Sequence, residues 1–167
     1  MFNINYEVDF KTPHEILNDN NNLYTIREIC KRKKNTVSLQ DDEKYNLVGG
    51  VTLGCYESNV ELLGRDIKGI HQLCTDGQFI ISSTRRLVYG MITPSIYKNI
   101  TSNKHWLFDI NTEIANTKYL VLIYESQIFN QYDHYRDFLN ATISLPTKEQ
   151  QDLIVEEYER LAFHRYH

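Results

Sequence analysis

Between Asn35 and Ile110 the chain changes character every few residues, and this alternation limits its folds more than any other feature. The runs "NTVSL", "YNLVGGVTL", "NVELL", "QFIIS", "RLVYGMI" and "HWLFDI" are rich in Val, Ile, Tyr and Phe, and Gly, Asn, Asp or Ser separate them. Each run is long enough for one strand and too short for a stable helix, so the middle of the chain predicts a β-rich unit. The flanks read differently. "TPHEIL" (Thr12 to Leu17) predicts a short helix entered through Pro13, and "NDNNN" (Asn18 to Asn22) a polar loop that marks a boundary. In "LYTIREICKRKKN", Leu23, Ile26 and Ile29 stand at helical spacing before a basic loop. "TKYLVLIYESQIFNQYDHYRDFL" predicts one or two helices, and "NATISL" a last strand. Helices at the ends and strands in the middle mean α+β: a small twisted β-rich core with flanking helices and a C-terminal amphipathic helix.

That last helix is announced by "ISLPTKEQQDLIVEEYERL". Pro146 presets a helical φ and has no N–H to leave unpaired. Thr147 and Gln150 fit a capping box. Leu153, Ile154, Tyr158, Leu161 and Ala162 then recur at helical spacing as an apolar stripe, the candidate assembly surface of the helix.

With 167 residues, the chain is expected to bury a self-sufficient core. Cys30, Cys55 and Cys74 are too few and too scattered for a disulfide framework or a zinc site, and read as reduced thiols of a cytoplasmic protein. The opening "MFNINYEVDF" has no basic region followed by an apolar run, and nothing approaches the ~20 apolar residues a bilayer needs, so no membrane association is expected. A net charge of −4 argues mildly against nucleic acid, but a local patch sets the field a phosphate feels. Basic groups gather at Lys31 to Lys34, at Arg85-Arg86, and at Lys98 and Lys104, apart in the sequence from the acids of the first twenty residues, of Asp41 to Glu43 and of the last helix.

Three stretches, in this order, resemble the target recognition domain of type I restriction–modification specificity subunits. They are "LYTIREICKRKKN", "IKGIHQLCTDGQFIISSTRR" (Ile67 to Arg86) and "YLVLIYESQIFNQY…ATISLPTKEQQDLIVEEYERL". The resemblance covers roughly residues 23 to 161, and its most distinctive part is the proline-led helix. It implies an N-terminal extension (1–22), a DNA target recognition domain (23–145) and the start of a spacer or dimerisation helix (146–167). It further implies a non-catalytic protein without a cofactor that reads part of a double-stranded DNA site. The implied partners are a DNA methyltransferase (modification) subunit, a restriction subunit, and a second copy through the C-terminal helix. Subunits of that family carry two recognition domains and two long helices, where this chain has one domain and one helix start. Asp76-Gly77 also reverses the usual Gly-Asp.

DNA reading needs cations for phosphates and hydrogen-bonding side chains for base edges. The candidates are the cation run Lys31, Arg32, Lys33, Lys34 with Asn35; the hydroxyls Ser82, Ser83 and Thr84 leading to Arg85, Arg86 and Tyr89; and Lys98, Asn99, Asn103 and Lys104. All are expected in loops, at 31–35, 82–89 and 97–105. The plainer reading of each is a solvated turn or a surface ion pair.

Two other readings compete. Asp66-x-Lys68 on a strand, with Glu57, Glu61 or Asp42, offers the carboxylates and lysine of a Mg²⁺-dependent nuclease. Alternatively, the last helix docks the chain on a protein partner. His164 and His167 share a helix face without an evident third ligand. His14, His71, His105 and His134 are scattered, and neither a glycine-rich phosphate loop nor an Asn-Pro-Pro-Tyr methyltransferase tetrapeptide is present.

Overall fold

The computed structural model describes residues 21–48, 59–81, 89–124 and 135–166, and within them the chain is α+β. The strands are β1 (Asn22–Thr25), β2 (Cys30–Lys33), β3 (Thr36–Val37), β4 (Lys44–Val48), β5 (Asn59–Leu63), β6 (His71–Leu73), β7 (Phe79–Ile81), β8 (Tyr89–Met91), β9 (Lys98–Ser102), β10 (Trp106–Ile110) and β11 (Thr142–Leu145). The helices are α1 (Ile26–Ile29), α2 (Thr117–Ile123), α3 (Tyr135–Asn140) and α4 (Lys148–Tyr166). The expected helix at 12–17 lies outside the described residues.

The strands form three sheets. One has the order β2-β10-β7-β8, a second β3-β6-β9-β4-β5, and β1 pairs with β11 as a ribbon. The chain passes repeatedly from one large sheet to the other, at Lys34-Asn35, between β6 and β7, between β8 and β9, and at Asn103–His105. Side-chain alternation then divides the apolar residues of the four-stranded sheet between two cores. Phe79, Ile81, Trp106 and Phe108 face a core shared with Tyr119 and Ile123 of α2, Phe138 of α3, Leu145 of β11 and Val155 of α4. Ile80 and Leu107 face the other way, into a smaller core with Val48 of the five-stranded sheet, Cys74 and Ile92. The helices thus cover one face of the four-stranded sheet and the five-stranded sheet covers the other.

Amides and hydroxyls, as well as apolar groups, are buried in the five-stranded sheet. Asn46, Gln72, Asn99 and Thr101 are all buried. Asn46 Nδ2 donates to Asn99 Oδ1 (2.6 Å), Asn99 Nδ2 to the Thr93 carbonyl (2.8 Å), and Thr101 Oγ1 to the Val48 carbonyl (2.9 Å). Each bond offsets the cost of removing these groups from water.

Local chemistry explains two details. Gly77 takes φ 87° in a turn where Gln78 N–H donates to the Thr75 carbonyl, so this turn needs its glycine third, after Asp76. That accounts for the Asp-Gly order. The capping box of α4 forms as expected: Gln150 N–H donates to Thr147 Oγ1 (3.2 Å) and Thr147 N–H to Gln150 Oε1 (3.3 Å).

The N-terminal part departs from expectation. Leu23 lies on β1 and is 72% exposed, the helix is limited to Ile26–Ile29, and "CKRK" is a strand rather than a basic loop. The spacing of Leu23, Ile26 and Ile29 coincides with a helical period, but pairing of β1 with β11 and of β2 with β10 prevails. Asn22, expected in a loop, opens β1 opposite Leu145.

Burial pushes both described thiols and one phenol up: Cys74 to about 12, Cys30 higher still, and Tyr119 to about 12. These groups ionise in the unfolded chain before they do so in the fold, so their contribution is intact at neutral pH and is lost from about pH 9 towards 12. Urea midpoints measured from pH 7 to 11 are expected to fall above pH 9. In a Cys30→Ala/Cys74→Ala variant they are expected to fall less steeply, and equal slopes would remove this account.

Candidate nucleic-acid interface

The registers of the four-stranded sheet decide which of the candidate segments meet. Lys33 is opposite Leu107, and Leu107 is opposite Ile80. One step further, Trp106 is opposite Ile81, and Ile81 is opposite Tyr89. The end of β2, the start of β10, the end of β7 and the start of β8 therefore lie at one end of this sheet. Lys34-Asn35 follows β2 there, and Asn103–His105 precedes β10 there. Ile81 and Tyr89, which flank Ser82, Ser83, Thr84, Arg85 and Arg86, sit there as well, while those five residues lie outside the described residues. Lys33–Asn35, 82–88 and Asn103–His105 together supply Lys33, Lys34, Arg85, Arg86 and Lys104, and contain no Asp or Glu.

Within this end the side chains differ in their surroundings. Lys31 and Lys33 point to one side of the edge strand β2 and are exposed, whereas Cys30 and Arg32 alternate to the other side and are more buried. Lysines on an edge strand discourage pairing with another chain, which suits a position with no neighbour beyond it among the described residues. Lys33 Nζ lies 3.8 Å from Asp109 Oδ2, with both side chains about half exposed, and such a surface pair yields readily to a competing phosphate. Lys34, Asn35 and Lys104 are exposed and Asn103 is half-buried. The corner carrying Asn103 and Lys104 is tightly built: Asn103 N–H donates to the Ile70 carbonyl (3.0 Å), His105 N–H to the Ser102 carbonyl (3.1 Å) and Lys104 N–H to Ser102 Oγ (3.2 Å).

Other expected contacts do not belong to this end. Lys98 starts β9, four residues before Ser102 and so roughly 13 Å along the strand. Its ammonium lies 3.3 Å from Glu43 Oε2. Asn99 is buried and bonded to Asn46 and Thr93, and Tyr89 is buried with its ring stacked 4.1 Å from that of Tyr124. Neither occupies the loop surface expected of it. Both sit on strands with inward-facing side chains, because β8 and β9 extend through the segments expected as loops.

The stripe expected on α4 is rearranged in a similar way. Gln151, fully buried, and Val155 carry the packing, with Ile154 partly buried against the core, whereas Leu153 and Tyr158 are exposed and Leu161 is half-buried. Gln151 Nε2 donates to the carbonyls of Ile114 (2.9 Å) and Pro146 (3.0 Å), and its Oε1 accepts from Asn116 N–H (2.9 Å). Asn116 caps α2 through Lys118 N–H and donates to Asp152, whose carboxyl is held below its usual range by that bond and by Lys148. Lys118 and Glu159 pair at 2.7 Å.

Among the described residues the nuclease arrangement is not assembled. Asp66 is exposed at the end of a 3-10 turn, Gly64–Asp66, and not on a strand, and Glu57 lies outside the described residues. Among the described residues no three His, Cys, Asp or Glu gather as metal ligands. His71 is buried with Nδ1 3.1 Å from the Gly69 carbonyl. His14, His134 and His167 lie outside the described residues. No described helix is long and apolar enough to cross a membrane.

No family model matches the sequence, and no curated protein matches it significantly. The fold does have solved counterparts. The HsdS subunit from Thermoanaerobacter tengcongensis superposes with a TM-score of 0.66 at 19% identity, over 90% of this chain and 44% of that one. A chain solved in work on the complex assembly and conformational transition of the type I R-M system gives 0.64 at 18% identity, over 88% of this chain and 44% of that one. The chain thus shares its fold with rather less than half of each of these larger chains.

Proposed function

We propose that the chain is a sequence-specific DNA-recognition module, the non-catalytic specificity component of a restriction–modification system. In this reading residues 23–145 read part of a DNA target and the helix from 146 onward serves assembly. The observation that carries the reading is the register of the four-stranded sheet, which brings Lys33, Lys34 and Lys104 to the end from which the segment containing Arg85 and Arg86 departs. Lys33, Lys34 and Lys104, with only the half-exposed Lys33–Asp109 pair to compete, suit a polyanion in a chain whose net charge is −4, and the segment that starts from the same end carries Arg85 and Arg86 and no Asp or Glu. Likeness of fold to the HsdS subunit and to a chain of a type I R-M system supports the same reading. A DNA methyltransferase subunit, a restriction subunit and a second copy meeting α4 are the partners that it implies, and a cytoplasmic location follows.

Lys33, Lys34 and Lys104 would neutralise phosphates, and Lys31 and the half-buried Arg32 lie one or two residues further back along β2. Arg85 and Arg86, with Ser82, Ser83 and Thr84, are the base-edge candidates, because a guanidinium matches guanine bidentately in the major groove. Lys98, Asn99 and Tyr89 have no part in the contact.

The test uses duplex DNA and two classes of variant. Lys33→Ala/Lys34→Ala/Lys104→Ala is expected to weaken binding to every duplex alike and to flatten log K against log salt by about 0.9 for each phosphate no longer neutralised. Arg85→Ala or Arg86→Ala is expected to relax preference at one base position by about 1–3 kcal/mol. Duplex binding that neither class changes, or wild-type protein that binds no duplex at low salt, would refute the reading.

A further inference from the structure

A buried glutamine is an expensive choice for a sheet interior, since leucine fills a similar space without an amide to satisfy. Gln72 is fully buried in the middle of β6. Its backbone stands between the two basic corners: Gln72 is opposite Thr36, which follows Lys34-Asn35, and opposite Thr101, which precedes Asn103-Lys104. The next residue, Leu73, donates its N–H to the Asn35 carbonyl (2.8 Å). The side chain then reaches the second corner, where Nε2 donates to the carbonyls of both Ser102 (3.0 Å) and His105 (2.7 Å). Those carbonyls lie on either side of Asn103 and Lys104, so one amide group ties down both feet of the turn. Gln72 Oε1 accepts no hydrogen bond from any described residue. The amide therefore recovers its burial cost only through the two donated bonds, both of which go to this turn.

Resting on the DNA reading above, we propose that Gln72 is a positioning residue of the interface. Without touching DNA, it fixes the Ser102–His105 corner and hence the place of Asn103 and Lys104, relative to the Lys34-Asn35 corner on the same strand ladder. Asn103 has the side chain for a base edge and Lys104 that for a phosphate. A base contact tolerates little displacement, whereas a phosphate contact through a long flexible lysine tolerates more. Loosening the corner should therefore cost discrimination before it costs general affinity.

Gln72→Met keeps the volume and removes both donors. Its probes are a pool of randomised duplexes and the sequence that the wild type enriches from that pool. Q72M is expected to bind the unselected pool within about twofold of the wild type, with an unchanged salt slope, and to lose about tenfold of its preference for the enriched sequence. In an Asn103→Ala/Lys104→Ala background the same substitution is expected to change that preference by less than about twofold, because positioning acts only through the side chains positioned. Preference that is retained in Q72M, or lost equally in both backgrounds, overturns the proposal. Hydrogen exchange in the DNA-free protein separates this from failure of the DNA reading. Faster exchange at the Asn103 and His105 amides in Q72M upholds the corner assignment even if the wild type binds no duplex, and unchanged exchange ends it. Should Q72M not fold, Gln72→Glu keeps the shape, retains one donor when protonated, and is read in the same way.

Discussion

Phe108→Ala is expected to lower the free energy of unfolding by about 3–5 kcal/mol. Phe108 is fully buried at the centre of β10, with its partners Arg32 on β2 and Phe79 on β7 to either side. Its ring meets that of Phe138 on α3 at a centroid distance of 5.4 Å and a tilt of 50°. The residue thus joins an inner strand of the four-stranded sheet to the helical layer. Truncation removes the transfer energy of the ring and leaves a cavity that strands paired on both sides of β10 cannot close. Set against a total of about 5–15 kcal/mol for a natural domain, this is a large share. For a chain of this size the melting temperature should drop by roughly 10 °C, read by calorimetry. A loss below about 1 kcal/mol would mean that the core collapses freely around the gap, contrary to the packing described.

Gln151→Leu is the second large effect, and its origin is polar. Leucine keeps the bulk but strands three backbone groups: the carbonyls of Ile114 and Pro146 and the N–H of Asn116. Unsatisfied buried groups cost about 1–3 kcal/mol each, so even with some apolar compensation the variant should lose about 3 kcal/mol. Calorimetry gives the total, and hydrogen exchange locates it, since the first turns of α4 and the start of α2 should lose protection together while β7 and β10 hold theirs. Uniform loss over the whole chain, or none, would contradict a local clamp. Gln151→Asn, one methylene shorter, should resemble the leucine variant, because the bonds span segments that cannot shift together.

Much of this architecture is legible in the sequence, for a simple reason. "NVELL", "QFIIS", "HWLFDI" and "ATISL" are strands because β-branched and aromatic residues gain most on a pleated, half-buried surface, and each yields the strand expected. The capping box at Thr147 is legible because it is purely local. The illegible parts lack local signals. "CKRK" is a strand with solvent on one side and an edge position, so lysines replace the usual apolar alternation. "KNITS" and "HQL" are strands whose buried residues are mostly polar, Asn99, Thr101, His71 and Gln72 with only Ile100 apolar, and these read as loop residues until their partners across the sheet are known. For α4, the apolar letters Leu153 and Tyr158 are the conspicuous ones, while the residue that fastens the helix is a glutamine. Of the candidate interface, which residues carry positive charge is legible. Their meeting is not, since it depends on which strand lies opposite which.

The helix α4 is fastened along one stripe: Gln151 and Val155 are buried, Asp152 accepts from Asn116, and Glu159 pairs with Lys118. From Gln151 to Tyr166 it extends roughly 22 Å, at 1.5 Å per residue. Rather more than two turns of it, Gln151 to Glu159, are thereby tied to α2 and to the residue that caps it, so the direction of the whole rod is set by the helical layer.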